Sequence, residues 1–266
     1  MEVKTIRFPY KIADEYHLYT IGDEHGGTKH CSNSSLRQQV NIIKNDPMAL
    51  WVGMGDKAEF ISPSDPRWDT GVIEDWVHPD NIALDQANWY CELFAPIKDK
   101  CIGLLEGNHE DAMRIHSHID VQKYICEKLG VENLGYSCFI RFIFKRNKST
   151  ESHQFIGYFS HGNGWAVTKG AKLNRLQRIM DSFEADLYAI GHMHDIITDS
   201  KPYLTLDANN KIRQKEKVGA VTGCWFRTYS QGVRASYGEK RGFPPGAIGC
   251  PMFAITPHSQ TVIVEG

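Results

Sequence analysis

Seven residues of this 266-residue chain have the side chains and spacings to hold metal ions: Asp23, His25, Asp56, Asn108, His161, His192 and His194. They fall in five short stretches: Ile21-Gly22-Asp23-Glu24-His25-Gly26-Gly27, Gly55-Asp56-Lys57-Ala58-Glu59, Gly107-Asn108-His109-Glu110, His161-Gly162 and Gly191-His192-Met193-His194. A lone Asp-x-His or His-x-His arises by chance on polar surfaces. Five such stretches, each beside a glycine and each after an apolar run, do not. In extended backbone side chains alternate faces, so Asp23 and His25 are expected to point the same way, as are His192 and His194. Seven oxygen and nitrogen donors are too many for one tetrahedral ion and suit two ions that share a bridging group. An aspartate can bridge, because its two oxygens can face two ions. A donor set without thiolate favours Mn²⁺, Fe or Zn²⁺ over Ca²⁺ or Mg²⁺.

Charge then selects the ligand. Two divalent ions outweigh two aspartates and a bridging hydroxide, leaving about +1 at the site, which draws an anion such as phosphate. Two ions ~3.5–4 Å apart can activate a shared water, orient phosphorus and stabilise both the attacking and the leaving oxygen.

The order Asp-x-His, Gly-Asp-x-x-Glu, Gly-Asn-His-Glu, His, Gly-His-x-His resembles the calcineurin-like metallophosphoesterase superfamily, from residue 22 to residue 194. Its general look is of the prokaryotic or phage branch related to DNA-repair exonucleases. The resemblance implies a four-layer αββα sandwich of two mixed β-sheets flanked by helices, with a dinuclear site between the sheets. It implies that Asp23, His25 and His194 hold one ion and Asn108, His161 and His192 the other, with Asp56 between them. His109 would contact phosphate and protonate the leaving oxygen, after in-line attack of a metal-held hydroxide. The cofactors implied are two divalent ions, Mn²⁺ first, with Fe, Zn²⁺ or Ni²⁺ as alternatives. Glu59 stands where the family often has Asp or Asn, and it is expected behind the ligands at best.

The elements that must position these residues are legible as hydrophobic patterns. Strands are expected at 5–10, 16–21, Ala49–Val52, Cys101–Leu105, Cys138–Lys145, Gln154–Ser160 and Leu187–Ile190. Helices are expected after a cap at Asn33 or Ser34, over 81–96, over 119–129 with Gly130 closing it, and along Leu173, Leu176, Ile179, Met180 and Phe183. From about residue 203 the pattern turns to strands: Lys217–Val221, Trp225–Tyr229 and Met252–Glu265. Alternating strands and helices followed by strands predict an α/β fold, read as one domain over 1–266. In such sheets ligands gather beyond the carboxyl ends of strands, where all five stretches fall.

Composition bounds the rest. A formal charge of −2 and 41% apolar residues describe an ordinary soluble globular chain. No apolar run approaches a membrane span, and the start of the chain lacks a signal peptide's apolar core. Seven scattered cysteines with no Cys-x-x-Cys fit reduced thiols in a cytosol-like compartment, the host cytoplasm if phage-encoded.

Other features admit two readings. The connection 57–80, with Pro63, Pro66, Trp68, Trp76 and Pro79, is either a surface excursion packing its own tryptophans or a substrate rim. His116-x-His118 lacks a preceding strand and reads as a solvated pair at a helix start; His17, His30 and His153 are set aside with it. Glu110 and Arg114 read as a surface ion pair or a phosphate grip. Lys169, Lys172, Arg175 and Arg178 read as a winding surface band. Segment 211–241 interleaves Lys211, Arg213, Lys215, Lys217, Arg227, Arg234, Lys240 and Arg241 with Trp225, Phe226, Tyr229 and Tyr237. That is either a single-stranded nucleic-acid groove or a solvated hairpin with core aromatics.

The expected activity is therefore a phosphodiesterase or nuclease acting on DNA or RNA. The alternatives are a phosphomonoesterase of the protein Ser/Thr phosphatase type, a small cyclic-nucleotide phosphodiesterase, and a metal-binding subunit without catalysis.

Overall fold

The computed structural model describes residues 1–266 except 64, 66, 165 and 208; Pro66 therefore lies outside the described residues. In chain order the elements are β1 (Glu2–Tyr10), β2 (Tyr16–Ile21), α1 (Asn33–Asn45), β3 (Ala49–Gly53), α2 (Ile82–Phe94), a 3₁₀ turn (Ala95–Lys100), β4 (Cys101–Leu104), α3 (Asn108–Ser117) and α4 (Val121–Leu129). There follow β5 (Ser137–Arg146), β6 (Ser152–Ser160), α5 (Lys169–Ser182), β7 (Leu187–Ile190), β8 (Ile196–Leu206), β9 (Ile212–Thr222), α6 (Tyr237–Lys240), β10 (Met252–Thr256) and β11 (Thr261–Glu265).

The strands form two mixed sheets. One runs β1-β5-β6-β7-β9-β8 and the other β11-β10-β2-β3-β4. The central pairs β2–β3, β3–β4, β6–β7 and β7–β9 are parallel, so their carboxyl ends open on one edge. Such strands are buried on both faces, which is why Ala49–Val52 and Leu187–Ile190 are continuous apolar runs rather than alternating ones. In β3, Trp51 packs under the helices while Val52 packs between the sheets. β5 alternates instead, with Cys138, Ile140, Phe142 and Phe144 fully buried against the other sheet.

Three cores separate four layers. Leu18, Val52, Phe142, Phe159, Leu187 and Phe253 fill the space between the sheets. Leu36, Trp51, Tyr90, Phe94 and Ile125 lie between the second sheet and α1, α2 and α4. Leu176, Met180, Tyr188 and Val221 pack α5 against the first sheet. Helices thus flank two stacked sheets on both sides.

Several expectations are corrected. The cap of α1 is Ser32, with Asn33 and Ser34 already in its first turn. A helix not foreseen, α3, begins at Asn108 itself. β8 starts at Ile196, two residues after His194, rather than near 203. Trp225–Tyr229 is not a strand: despite its strand-forming aromatics it makes one isolated bridge, Phe226 to Cys31. Lys172 is no surface residue but is buried, its Nζ 3.2 Å from Asp195. His116 and His118 are exposed, at the end of α3 rather than at a helix start.

Candidate metal centre

Every one of the five stretches leaves the carboxyl end of a strand. β2, β3 and β4 of one sheet bring Asp23, His25, Asp56 and Asn108; β6 and β7 of the other bring His161, His192 and His194. The backbone that does this is not extended, which corrects the alternation argument. Asp23, His25, Asp56, His192 and His194 all have positive φ, between 49° and 69°. The first, second and fifth stretches thus turn through left-handed residues other than glycine, a conformation that is uncommon and clusters at functional sites, whereas the third enters α3 through extended Gly107.

The donors converge in two groups. Asp23, His25 and His194 form one, with His194 Nε2 3.3 Å from Asp23 Oδ1 and 3.1 Å from His25 Nε2. Asp56, His161 and His192 form the other, with His161 Nε2 3.2 Å from Asp56 Oδ2 and 3.1 Å from the Asn108 side-chain oxygen. Asp56 also closes a third group with His25 and His109, so its carboxylate sits between the two sides.

These residues fit a pair of cations. Asp23 Oδ1 and His192 Nδ1 are buried and make no hydrogen bond. Such orphaned atoms are costly unless something electrophilic completes them. Two imidazole nitrogens at 3.1 Å, with a carboxylate oxygen beside them, form a donor set that a borderline divalent ion satisfies. Burial opposes ionisation of Asp56, but His161, His109 and His25 outweigh it and hold its carboxyl well below the usual range. Burial and the neighbouring His161 push His192 down, toward the neutral ring that ligation needs.

Supporting residues lock this arrangement. His161 Nδ1 donates to the Met54 carbonyl at 2.8 Å, leaving Nε2 toward Asp56 and Asn108. His192 N donates to Asp23 Oδ2 at 2.9 Å, stitching a candidate ligand of one sheet to one of the other. His25 Nδ1 lies 2.9 Å from Glu59 Oε2. Burial raises the Glu59 pKa, but the His25 hydrogen bond outweighs it and brings the carboxyl to about 2. His109 lies beside the ligands, its ring 4.8 Å from that of His25. Its Nδ1 hydrogen-bonds the Glu59 carbonyl, and its backbone N–H donates to Asp56 Oδ1 at 2.9 Å.

Glu110 also departs from the expectation of a surface pair. It is 1% exposed, not a surface partner of Arg114. Its carboxylate accepts from the backbone N–H groups of Gly107 and Lys57, both at 2.7 Å, and of Asp56 at 3.1 Å, with Lys57 Nζ at 3.5 Å. It therefore clamps the second stretch to the third. Glycine at 107 is required for this approach, because a Cβ there would lie 2.2 Å from Asp56 Oδ1. Arg114 does form the surface pairs, with Glu106 and Asp111. His30, set aside as solvated, is instead buried, bonding Ser230 Oγ and the Arg234 carbonyl at 3.1 Å each.

A cavity of about 450 Å³ opens beside the ligands, lined by His25, Asp56, Asn108, His109, His192 and His194 on its floor. Arg67 of the 57–80 connection and Phe226, Tyr237 and Phe243 of the 223–249 segment form its walls. The connection also packs its own ring, Trp76 stacking on Trp89 of α2 at 6.0 Å. The basic segment 211–241 is divided: Lys211, Arg213 and Lys215 sit at the outer end of the exposed β8–β9 hairpin. That end is roughly 30 Å of strand from Thr222. The cavity aromatics are further along the chain. Among the described residues no helix is long and apolar enough to cross a membrane.

No protein-family model and no curated relative matches the chain. Among solved structures it is similar to GAP50, the anchor in the inner membrane complex of Plasmodium, at 11% identity and a TM-score of 0.46, covering 94% of this chain and 84% of that one. It is similar to a metallophosphoesterase from Sphaerobacter thermophilus at 12% identity and a TM-score of 0.40, covering 94% and 87%. A conserved uncharacterized protein from Streptococcus pneumoniae TIGR4, a predicted phosphoesterase, matches at 10% identity and a TM-score of 0.33, covering 95% and 99%. At these identities and scores the likeness adds nothing to what the side chains show.

Proposed function

We propose that this protein is a phosphoesterase that works with two divalent metal ions. Asp23, His25 and His194 would hold one ion, and Asn108, His161 and His192 the other. Asp56 would contact both. The observation that carries the reading is the position of Asp56, whose carboxylate belongs to donor groups on both sides and is held ionised. Bound there, the ions would supply Lewis acidity toward the phosphate oxygens and activate water.

The chain's own residues account for the remaining chemistry. The N-terminus of α3 turns backbone N–H groups toward the site, and His109 N fixes one oxygen of Asp56. With Nδ1 engaged by the Glu59 carbonyl, the other ring nitrogen of His109 is the one free to carry a proton. His109 lines the cavity and would deliver that proton to the leaving oxygen. Glu59 would orient His25, as carboxylates beside ligand histidines do. The substrate we propose is a phosphodiester, with a nucleotide unit on at least one side.

The test is hydrolysis of bis-p-nitrophenyl phosphate against p-nitrophenyl phosphate, with Mn²⁺ and with EDTA, alongside His109→Ala. The expected result is diester turnover abolished by EDTA and lowered roughly 10²–10⁴-fold in the variant. Preference for the monoester would replace the diester reading with a phosphatase. Bound Mn²⁺ with turnover of neither ester would overturn the enzyme reading.

A further inference from the structure

We propose that the aromatic wall of the cavity is a subsite for the base of a nucleoside phosphate; the proposal rests on the phosphoesterase reading only for where the phosphate sits. The cavity has two unlike sides. Its floor is polar and carries the ligand cluster, Asn108 and His109, whereas Phe226, Tyr237 and Phe243 form one wall. The wall begins at the metal ligands, with the Phe226 ring 5.2 Å from that of His25 and 6.0 Å from that of His194. It continues outward to Tyr237 and Phe243, whose rings meet edge to face at 6.3 Å.

Charge on the rim does not make a groove for a phosphate backbone. Arg67 is engaged by Asp65 through two hydrogen bonds, at 3.0 and 2.9 Å, and Lys172 by Asp195 at 3.2 Å. Anion binding falls to the floor, and the wall offers aromatic rings. At about 450 Å³ the cavity is in the range of small-molecule sites. It suits a ligand with one phosphate and one flat apolar group. A duplex is far too wide to enter it.

The wall is also built in advance. Ser236 Oγ donates to the Thr228 carbonyl at 2.7 Å, and Tyr229 OH donates to the Phe243 carbonyl at 2.9 Å. Asp69 of the 57–80 connection holds both Arg234 and Lys240, each at 3.1 Å, which joins the two sides of the cavity. Arg241 covers one face of the Tyr237 ring, 4.9 Å from its centre. A wall fixed before binding loses little freedom when a base rests on it.

The experiment is calorimetry on the Mn²⁺-loaded full chain with adenosine 5′-monophosphate, ribose 5-phosphate and hexyl phosphate, and the same series with Tyr237→Leu. Stacking on a ring strengthens binding by roughly 5- to 150-fold. The expected result is therefore adenosine 5′-monophosphate binding about 10-fold or more tighter than either comparator, the ratio collapsing toward one in Tyr237→Leu. Equal binding of the adenosine and ribose phosphates would overturn the subsite. Equal binding of the adenosine and hexyl phosphates would also overturn it, in favour of a merely greasy wall. Turnover of bis-p-nitrophenyl phosphate, measured on the same preparation, keeps the two ideas separate. Turnover with equal affinities removes the subsite alone; tight nucleotide binding without turnover removes the phosphoesterase reading alone.

Discussion

Nδ1 of His25 and Oε2 of Glu59 lie 2.9 Å apart, which fixes the ring so that Nε2 faces His194. A carboxylate in that position raises the basicity of a ligand histidine, and losing it typically costs 10–100-fold in metal affinity. Glu59→Gln keeps an acceptor and removes the charge. We expect it to weaken Mn²⁺ binding by about 10-fold or more in a chelator competition, with the melting temperature of the EDTA-treated protein little changed. Unaltered Mn²⁺ affinity would show that Glu59 does not serve His25.

Glu110 makes a separate prediction because it serves backbone rather than a ligand. Removing its carboxylate strands the buried N–H groups of Gly107, Asp56 and Lys57 and takes the counter-charge from the Lys57 ammonium, which keeps only the neutral Leu105 carbonyl and Gln122 side chain as partners. Breaking a buried pair of this kind costs about 3–5 kcal/mol. Glu110→Ala should therefore melt roughly 10 °C lower. Asp111→Ala, one residue along and partly exposed, should melt close to the parent. If the two variants melted alike, the clamp would have no energetic weight.

The pair His17–Asp46 sets a pH dependence away from the site. Its atoms lie 2.6 Å apart, and Glu15 adds a weaker contact at 3.4 Å. Partial burial works against the charged ring, but Asp46 and then Glu15 outweigh it, so the His17 pKa stands above its ordinary 6.5. A raised value in the folded chain means the stabilisation is whole below pH 6.5 and disappears as pH climbs through the folded pKa. The melting temperature of the parent should exceed that of His17→Gln at about pH 6, with the gap shrinking by about pH 9. A gap that widened with pH would refute the pairing.

What the sequence made legible was governed by local pattern. Ala49–Val52 and Leu187–Ile190 announce buried parallel strands, and the ligand residues follow them directly. Left-handed φ at Asp23, His25, Asp56, His192 and His194 was not legible, because these residue types carry no obligatory signal for it. α3 was missed because its buried side is His109, Glu110 and Met113, so only one apolar residue marks it. Trp225–Tyr229 has strand-forming residues, yet its path is set by backbone contacts with Asp23, His30, Cys31 and Ser32, far away in the chain. The cavity wall had the same obstacle: Tyr237 and Phe243 acquire meaning only once the 57–80 connection is seen holding their segment through Asp69.

The ring nitrogens of His25 and His194 meet at 3.1 Å across 169 residues of chain, and they come from different sheets. Loop closure over such a span is unfavourable until many other contacts exist. Metal ions bound there would therefore not nucleate this fold, because a complete set of donors exists only once both sheets have docked. Their effect belongs on the way out rather than the way in. Mn²⁺ should leave the refolding rate almost untouched and slow the escape from the native state, so that the centre would work as a kinetic lock.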